Sequence, residues 1–439
     1  MTTHTLWVIV YCLAMVVFIN RYVAGIILRV VRAKTWDEAR DDYEPTVTAI
    51  IPMFNEGAAI KETLQSLLDS HYPHRKLQVI CVDDCSTDDS YEHAREVARK
   101  SNGRLRILRN RANLGKRRSI IRAVRESESE IVVSVDSDVV VDKPAVRELV
   151  RRFTDDRIAA VGGWVDVRNK HDNWLTKMQV VKYWYAYFFM KNLEWGFRRV
   201  MCLSGCLTAY RRTVLVELEP LLEKRSILGV PIKYGEDRFL TRQIVKAGYL
   251  TTMTLAARCR TFVPTTLKGY FSQQLRWRRS NIVDYAGGFS HVWRLNPVLA
   301  IHFFSLFALL LVYPIALTRA LGAGKFFPAL VFHLICAVLF GVVYRWKVRK
   351  QPAKERVGAL AFIPLTILMP ITYALLTPLA LFTLDTANWE TRDHEEALPE
   401  PVPEPVREVA TAELVVAVAE PAAQSVGRRS GAHAQLPAA

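Results

Sequence analysis

The chain is short of acid. Fifty-nine Lys and Arg face 43 Asp and Glu, a formal net charge of +16. It also lacks any motif that would direct such an excess at RNA or DNA, so nucleic acid is not an expected partner. The surplus instead crowds beside apolar segments, as on the cytosolic flanks of membrane helices. It would also favour polyanionic ligands. Cysteine is sparse and unpatterned: there are seven, with Cys12 and Cys336 in apolar runs and no second pair to join Cys202 and Cys206. This gives neither a zinc pattern nor a disulfide framework, and fits reduced thiols in a cytosolic domain. A cleavable leader is missing too, because no basic stretch precedes the first apolar run and no small-residue cleavage site follows it.

What is present first is membrane-grade apolar sequence. Leu6 to Leu28 is largely apolar, broken at Asn20-Arg21 and followed by Arg29, Arg32 and Lys34. It reads as an uncleaved spanning helix with its N-terminus outside, and Arg21 is expected to snorkel to the cytosolic interface. Residues 296–321 and 326–344 are two more stretches of spanning length, joined by Gly322-Ala323-Gly324-Lys325. The basic run Arg345 to Lys350 should then be cytosolic. Gly358 to Leu384 is apolar again, with Pro364, Pro370 and Pro378, and leaves both a crossing and a re-entrant or interfacial path open. Beyond His394 the chain is rich in Pro, Ala, Glu and Val, the composition of a disordered tail. The expected organisation is an N-terminal membrane helix (1–34), a cytosolic catalytic domain (45–280), a C-terminal membrane region (281–392) and a tail (393–439).

Between the membrane segments the pattern changes to short β-branched runs alternating with amphipathic stretches. Strands are expected at 47–52, 77–82, 104–108 and 131–135, with helices at 57–70, 90–100 and 115–128. That alternation predicts a parallel α/β sheet with helices on both faces. Ligands of such sheets bind beyond the carboxyl ends of the strands, and two acidic clusters fall there. Asp83-Asp84 ends the second strand and can accept from a base N–H or ribose hydroxyls, or serve a turn. Asp136-Ser137-Asp138 follows the fourth strand with its carboxylates on one side, hard oxygen ligands suited to Mg²⁺ or Mn²⁺. Lys116-Arg117-Arg118 opens a helix after Gly115, a combination that suits phosphate. Glu236-Asp237 opens another helix after Gly235, where an Asp can take a proton or merely favour the helix dipole. Gln273-Gln274-Leu275-Arg276-Trp277 offers a guanidinium for diphosphate and an indole face for a sugar ring, or an interfacial amphipathic helix. Ser204-Gly205-Cys206 either lines the acceptor path or is a turn with a packing glycine.

In this order the motifs resemble membrane-embedded family 2 glycosyltransferases that polymerise sugars processively, over about residues 45–392. The likeness is greatest to hyaluronan synthases, with rhizobial chitooligosaccharide synthases and chitin synthases close by. The resemblance implies a GT-A (Rossmann-like) α/β glycosyltransferase domain on the cytosolic face of the plasma membrane, a multi-pass anchor, UDP-sugar donors and a growing polysaccharide acceptor. Asp83, Asp84, Lys116 and Asp136 would bind UDP, Asp138 the divalent metal, and Asp237 would be the general base with Glu236 beside it. Ser204, Gly205, Gln273, Gln274, Arg276 and Trp277 would hold diphosphate and acceptor. Trp389-Glu390-Thr391-Arg392 resembles the family's late W-G-T-R element, making Trp389 and Arg392 nucleotide neighbours. Cys85 stands where Gly is usual, Cys206 replaces a Pro, Phe239 a His and Glu390 a Gly. No departure removes a carboxylate, but each bears on substrate identity. The implied product is hyaluronan-like, alternating GlcNAc with GlcA, exported between the membrane segments. The alternatives are a chitin-like product from UDP-GlcNAc alone, a single-sugar transferase acting on a lipid carrier, and a non-catalytic scaffold.

Overall fold

The structure is a computed structural model that describes residues 3–31, 38–227, 230–232 and 234–384. Among the described residues ten strands occur: β1 (Val47–Met53), β2 (Leu77–Asp83), β3 (Leu105–Arg109), β4 (Ile131–Ser134), β5 (Val140–Val141), β6 (Ile158–Val167), β7 (Thr208–Arg211), β8 (Ser226–Ile227), β9 (Val230–Pro231) and β10 (Leu250–Thr261). All but β8 and β9, which pair with each other, form one sheet in the order β3-β2-β1-β4-β7-β6-β10-β5. The four strands expected from the apolar runs are its parallel half. Parallel pairing requires crossovers, and the helices Ile60–Leu68, Ser90–Lys100 and Lys116–Arg125 supply them. The expectation of a wholly parallel sheet is corrected beyond β4. There β7 runs antiparallel to both β4 and β6, β6 and β10 are parallel, and β5 closes the edge antiparallel. β7 enters the sheet after an excursion through residues 168–207.

β1, buried at every position, is the sheet's organising strand. The chain moves outward from β1 through β2 to β3, then returns to β1's other side as β4. The carboxyl end of β1 is therefore a switch point, where the loops after β2 and β4 part and leave a crevice. Asp83-Asp84 and Asp136-Ser137-Asp138 emerge on its two sides.

Around this unit lie long apolar helices. Among the described residues three are long and apolar enough to cross a membrane: Pro297–Gly322, Leu330–Val348 and Ala353–Leu381. At 1.5 Å per residue, the first reaches roughly 39 Å, more than a bilayer core requires. The N-terminal segment is helical throughout its described part but not uniform. An α-helix (Thr3–Phe18) passes through a π-helical turn (Ile19–Ala24) into Gly25–Val31. The turn carries Asn20-Arg21, the polar break in the sequence. Leu6 and Val10 pack with Ala316 of the Pro297–Gly322 helix.

The catalytic-side unit and the apolar helices share a core. Trp184 meets the ring of Tyr344 at 4.9 Å and that of Phe362 at 6.4 Å. Beside it Lys170, only 6% exposed, holds Asp166 at 2.6 Å and Glu355 at 3.0 Å. Its partner Glu355 lies on the loop leading into the Phe362–Leu381 helix. That helix ends against the same unit: Arg279 Nε donates to Thr383 Oγ1 (3.0 Å), and Tyr234 Oη donates to the Leu384 carbonyl (2.7 Å).

Gly235 fixes how two helices meet. Its φ of +67° is left-handed, and it opens the Glu236–Lys246 helix directly against the Leu267–Gly288 helix. A Cβ there would lie 2.9 Å from Ser280 Cβ and collide with Ser280 Oγ. Gly235→Ala should therefore destabilise the protein by about 2–4 kcal/mol, from left-handed strain and overpacking together. Adding Ser280→Gly should return only the packing share. Thermal unfolding of the two variants in detergent reads this, and a single variant melting with the wild type would refute it.

Candidate active site

The crevice is closed by one lysine. Lys116 begins its helix behind Gly115, whose φ of +84° turns the loop into it. Its ammonium lies 2.7 Å from Asp136 Oδ1 and 2.7 Å from Glu236 Oε1. Three elements far apart in sequence are thus tied at one charge: the end of β4, the start of the Lys116–Arg125 helix and the start of the Glu236–Lys246 helix. Gly205 lies against this knot, where a Cβ would sit 3.2 Å from Lys116 Nζ and 3.4 Å from Asp136 Oδ1. Gly205 is thus packed closely against Lys116 and Asp136. Cys206 Sγ is 3.6 Å from Asp136 Oδ2, and Ser204 shares a hydrogen bond with Tyr187.

The two acids after Gly235 are driven apart. Burial disfavours both carboxylates. For Glu236 the charge and hydrogen bond of Lys116 outweigh it and hold the pKa down at about 2. For Asp237, burial and then the charge of Glu236 outweigh the charges of Arg238 and Lys116 and raise its pKa above the ordinary Asp value. Burial works against the Lys116 cation, yet Asp136 and Glu236 overcome it and keep that pKa well above the usual lysine range. Neighbouring carboxylates with separated pKa values mark a permanently charged group beside one that exchanges a proton. Asp237 Oδ1 accepts from the Arg238 backbone N–H at 2.8 Å, which orients it in the first turn.

The first acidic pair is more structural than its sequence suggests. Asp83 is fully buried; Oδ1 accepts from Ser86 N (3.0 Å), and Arg109 Nε lies 3.0 Å from Oδ2 as an ion pair rather than an aligned hydrogen bond. Asp84 is equally buried. Its Oδ1 accepts from Asn110 Nδ2 (2.6 Å) and Leu114 N (2.9 Å), and its Oδ2 from Gly115 N (2.7 Å). Asp84 thereby shapes the loop that delivers Lys116.

Asp138 is half-buried and accepts from Thr261 Oγ1 at 3.0 Å. Among the described residues no group of three or more His, Cys, Asp or Glu gathers as a metal cage. A site with few protein carboxylates suits a hard cation that takes most of its oxygens from phosphate and water. Gln273, Gln274, Arg276 and Trp277 all lie in the middle of the Leu267–Gly288 helix, capped by Thr266. Trp389 and Arg392 lie outside the described residues, as does the 393–439 tail.

One wall of the site had no motif to announce it. The Trp174–Tyr185 helix, with its π-helical continuation Ala186–Met190, brings in Lys182, Tyr183 and Tyr187. Tyr183 sits 6.2 Å from the Trp277 ring, and burial, then the charges of Cys206 and Asp138, raise its pKa. The signal available was aromatic density: seven of the residues between 174 and 189 are Trp, Tyr or Phe.

Comparison with known proteins agrees with this geometry. Residues 45–280 match the family described as Glycosyltransferase like family 2. An N-acetylglucosaminyltransferase of Rhizobium meliloti (strain 1021) is 31% identical, covering 79% of this chain and 82% of its own. Another from Bradyrhizobium diazoefficiens is 33% identical, over 79% and 72% of the two chains. The hyaluronan synthase of Streptococcus pyogenes serotype M1 is 28% identical over 80% and 84%. Among solved structures, a mannosyltransferase from Pyrobaculum calidifontis, in complex with GDP-Man and Mn²⁺, superposes with a TM-score of 0.58 at 22% identity. It covers 85% of this chain and 99% of that one, a likeness of the GT-A fold. The chain belongs to glycosyltransferase family 2.

Proposed function

We propose that this protein is an inverting, processive synthase that adds N-acetylglucosamine from UDP-GlcNAc to a growing chain. The observation that carries the reading is Asp237: a carboxylate of raised pKa beside an ionised Glu236, at the rim of the crevice that holds Asp136 and Asp138. Asp237 takes the proton of the acceptor hydroxyl, whose oxygen attacks the anomeric carbon as the bond to UDP breaks on the opposite face. Lys116 and Arg276 supply positive charge for the leaving diphosphate, Trp277 stacks on the acceptor sugar, and Asp83 and Asp84 hold the loops that form the nucleotide pocket. Mg²⁺ or Mn²⁺, held by Asp138, would neutralise diphosphate charge.

Of the expected products, the chitin-like one is favoured over hyaluronan, because the relatives at 30% identity or more are named N-acetylglucosaminyltransferases. The alternating product stays as a second reading on the hyaluronan synthase match alone. Protein reconstituted in lipid with either metal and labelled UDP-sugars should make polymer from UDP-GlcNAc alone. Polymer only when UDP-GlcA is added supports the second reading, and one sugar placed on extracted lipid removes processivity.

Asp237→Asn should lower turnover by about 10²–10⁴-fold with UDP affinity retained. The base must be ionised, so wild-type turnover should fall as pH drops through the raised Asp237 pKa, earlier than for a free Asp near 3.9. Unchanged turnover in the variant would remove Asp237 from this role.

The membrane path also belongs to this reading. Both ends of the Phe362–Leu381 helix touch the catalytic unit, which supports an interfacial or re-entrant course rather than a crossing. Cysteines placed at Lys350 and at the exposed Phe382, in a background without exposed native cysteines, should react with an impermeant reagent from one side. Opposite sides would make the segment a crossing.

A further inference from the structure

Lys182 has no role in any of the motifs, yet it sits under the element that carries Trp277. Its helix is set by a capping box between Asn173 and Thr176. Its ammonium donates to Gln274 Oε1, lies 5.3 Å from the centroid of Trp277 and lies 5.2 Å from that of Tyr270. Gln274 is buried, and its own Nε2 donates to Gln273 Oε1 at 3.3 Å. One cation therefore orients two successive amides and one indole.

Among the described residues no carboxylate pairs with Lys182. Arg278 of the Leu267–Gly288 helix is a like charge near it, and Asp166 of β6, packed on the same helix as Lys182, is taken by Lys170. The Phe362–Leu381 helix alongside contributes no charged side chain, and the π-helical turn adds only Tyr187. Burial, then Arg278, bring the Lys182 pKa down to about 7. An apolar residue would fill this position without the desolvation cost of a charge. What the ammonium adds is a donor aimed at Gln274 and a positive charge on two aromatic faces.

We propose that Lys182 is a positioning residue of the acceptor platform, fixing Gln273, Gln274 and Trp277 so that acceptor affinity depends on it and donor affinity does not. This rests on Trp277 being the acceptor-binding ring. The test is calorimetric binding of chitotetraose and, separately, of UDP to the full-length protein in lipid. Lys182→Met should weaken chitotetraose about tenfold and leave UDP unchanged, and Lys182→Arg should recover most of the loss. The wild type should bind chitotetraose less well as pH rises from 6 to 8.5, because the cation is present below about 7 and lost above it. The Arg variant should lose that slope.

Equal losses for both ligands, or recovery absent in Lys182→Arg, would reduce Lys182 to packing and overturn the proposal. Trp277→Ala separates the two readings. If it leaves chitotetraose binding intact, the acceptor role of Trp277 fails; if it weakens binding while Lys182→Met does not, only the Lys182 proposal fails.

Discussion

The site depends on the ion pairs of Lys116. Without that ammonium, Asp136 and Glu236 would face each other as buried like charges, and neither could stay ionised cheaply. With it, Glu236 is locked negative, and its negative charge in turn lifts Asp237. The charge at the start of the Glu236–Lys246 helix is therefore held by a residue 120 positions earlier in the chain, and it adds to the burial that already raises Asp237. The lysine reaches both partners only because Asp84 holds the loop before it and Gly205 leaves room beside it. A change at Asp84 would act on the proton of Asp237 through three contacts, none of which includes the reacting atoms.

Much of this was legible in the sequence because it is local. β1 to β4 show as β-branched runs, and each ends where an acidic cluster begins. Gly235 followed by two acids reads as a helix start whatever surrounds it. The antiparallel β7 was not legible, since strand pairing after a forty-residue excursion leaves no local trace. Lys182, Tyr183 and Tyr187 were missed for a related reason: their value comes from what lies opposite them. The sequence leaves Asp84 open between a ligand carboxylate and a turn, with the family resemblance implying UDP. Only the fold reveals that its oxygens are engaged by the loop from Asn110 to Gly115.

Hydropathy alone does not decide the course of the last apolar helix. Composition alone makes Ala353–Leu381 a membrane span. The side chains that answer it are protein: Trp184 and Tyr344 at its start, Arg278 over the Tyr373 ring at 3.7 Å, and Arg279 at its end. An apolar helix covered on one side by protein and on the other by lipid has the same composition as one that crosses. The distinguishing fact is where its ends are anchored.

The contact between Tyr234 and Leu384 has a consequence for how the protein is made. Tyr234 stands two residues before Glu236, and its partner is synthesised 150 residues later. The bond that ties the approach to Glu236 to the end of the last apolar helix therefore cannot form until nearly the whole membrane region has been made, which places it among the late contacts of the fold.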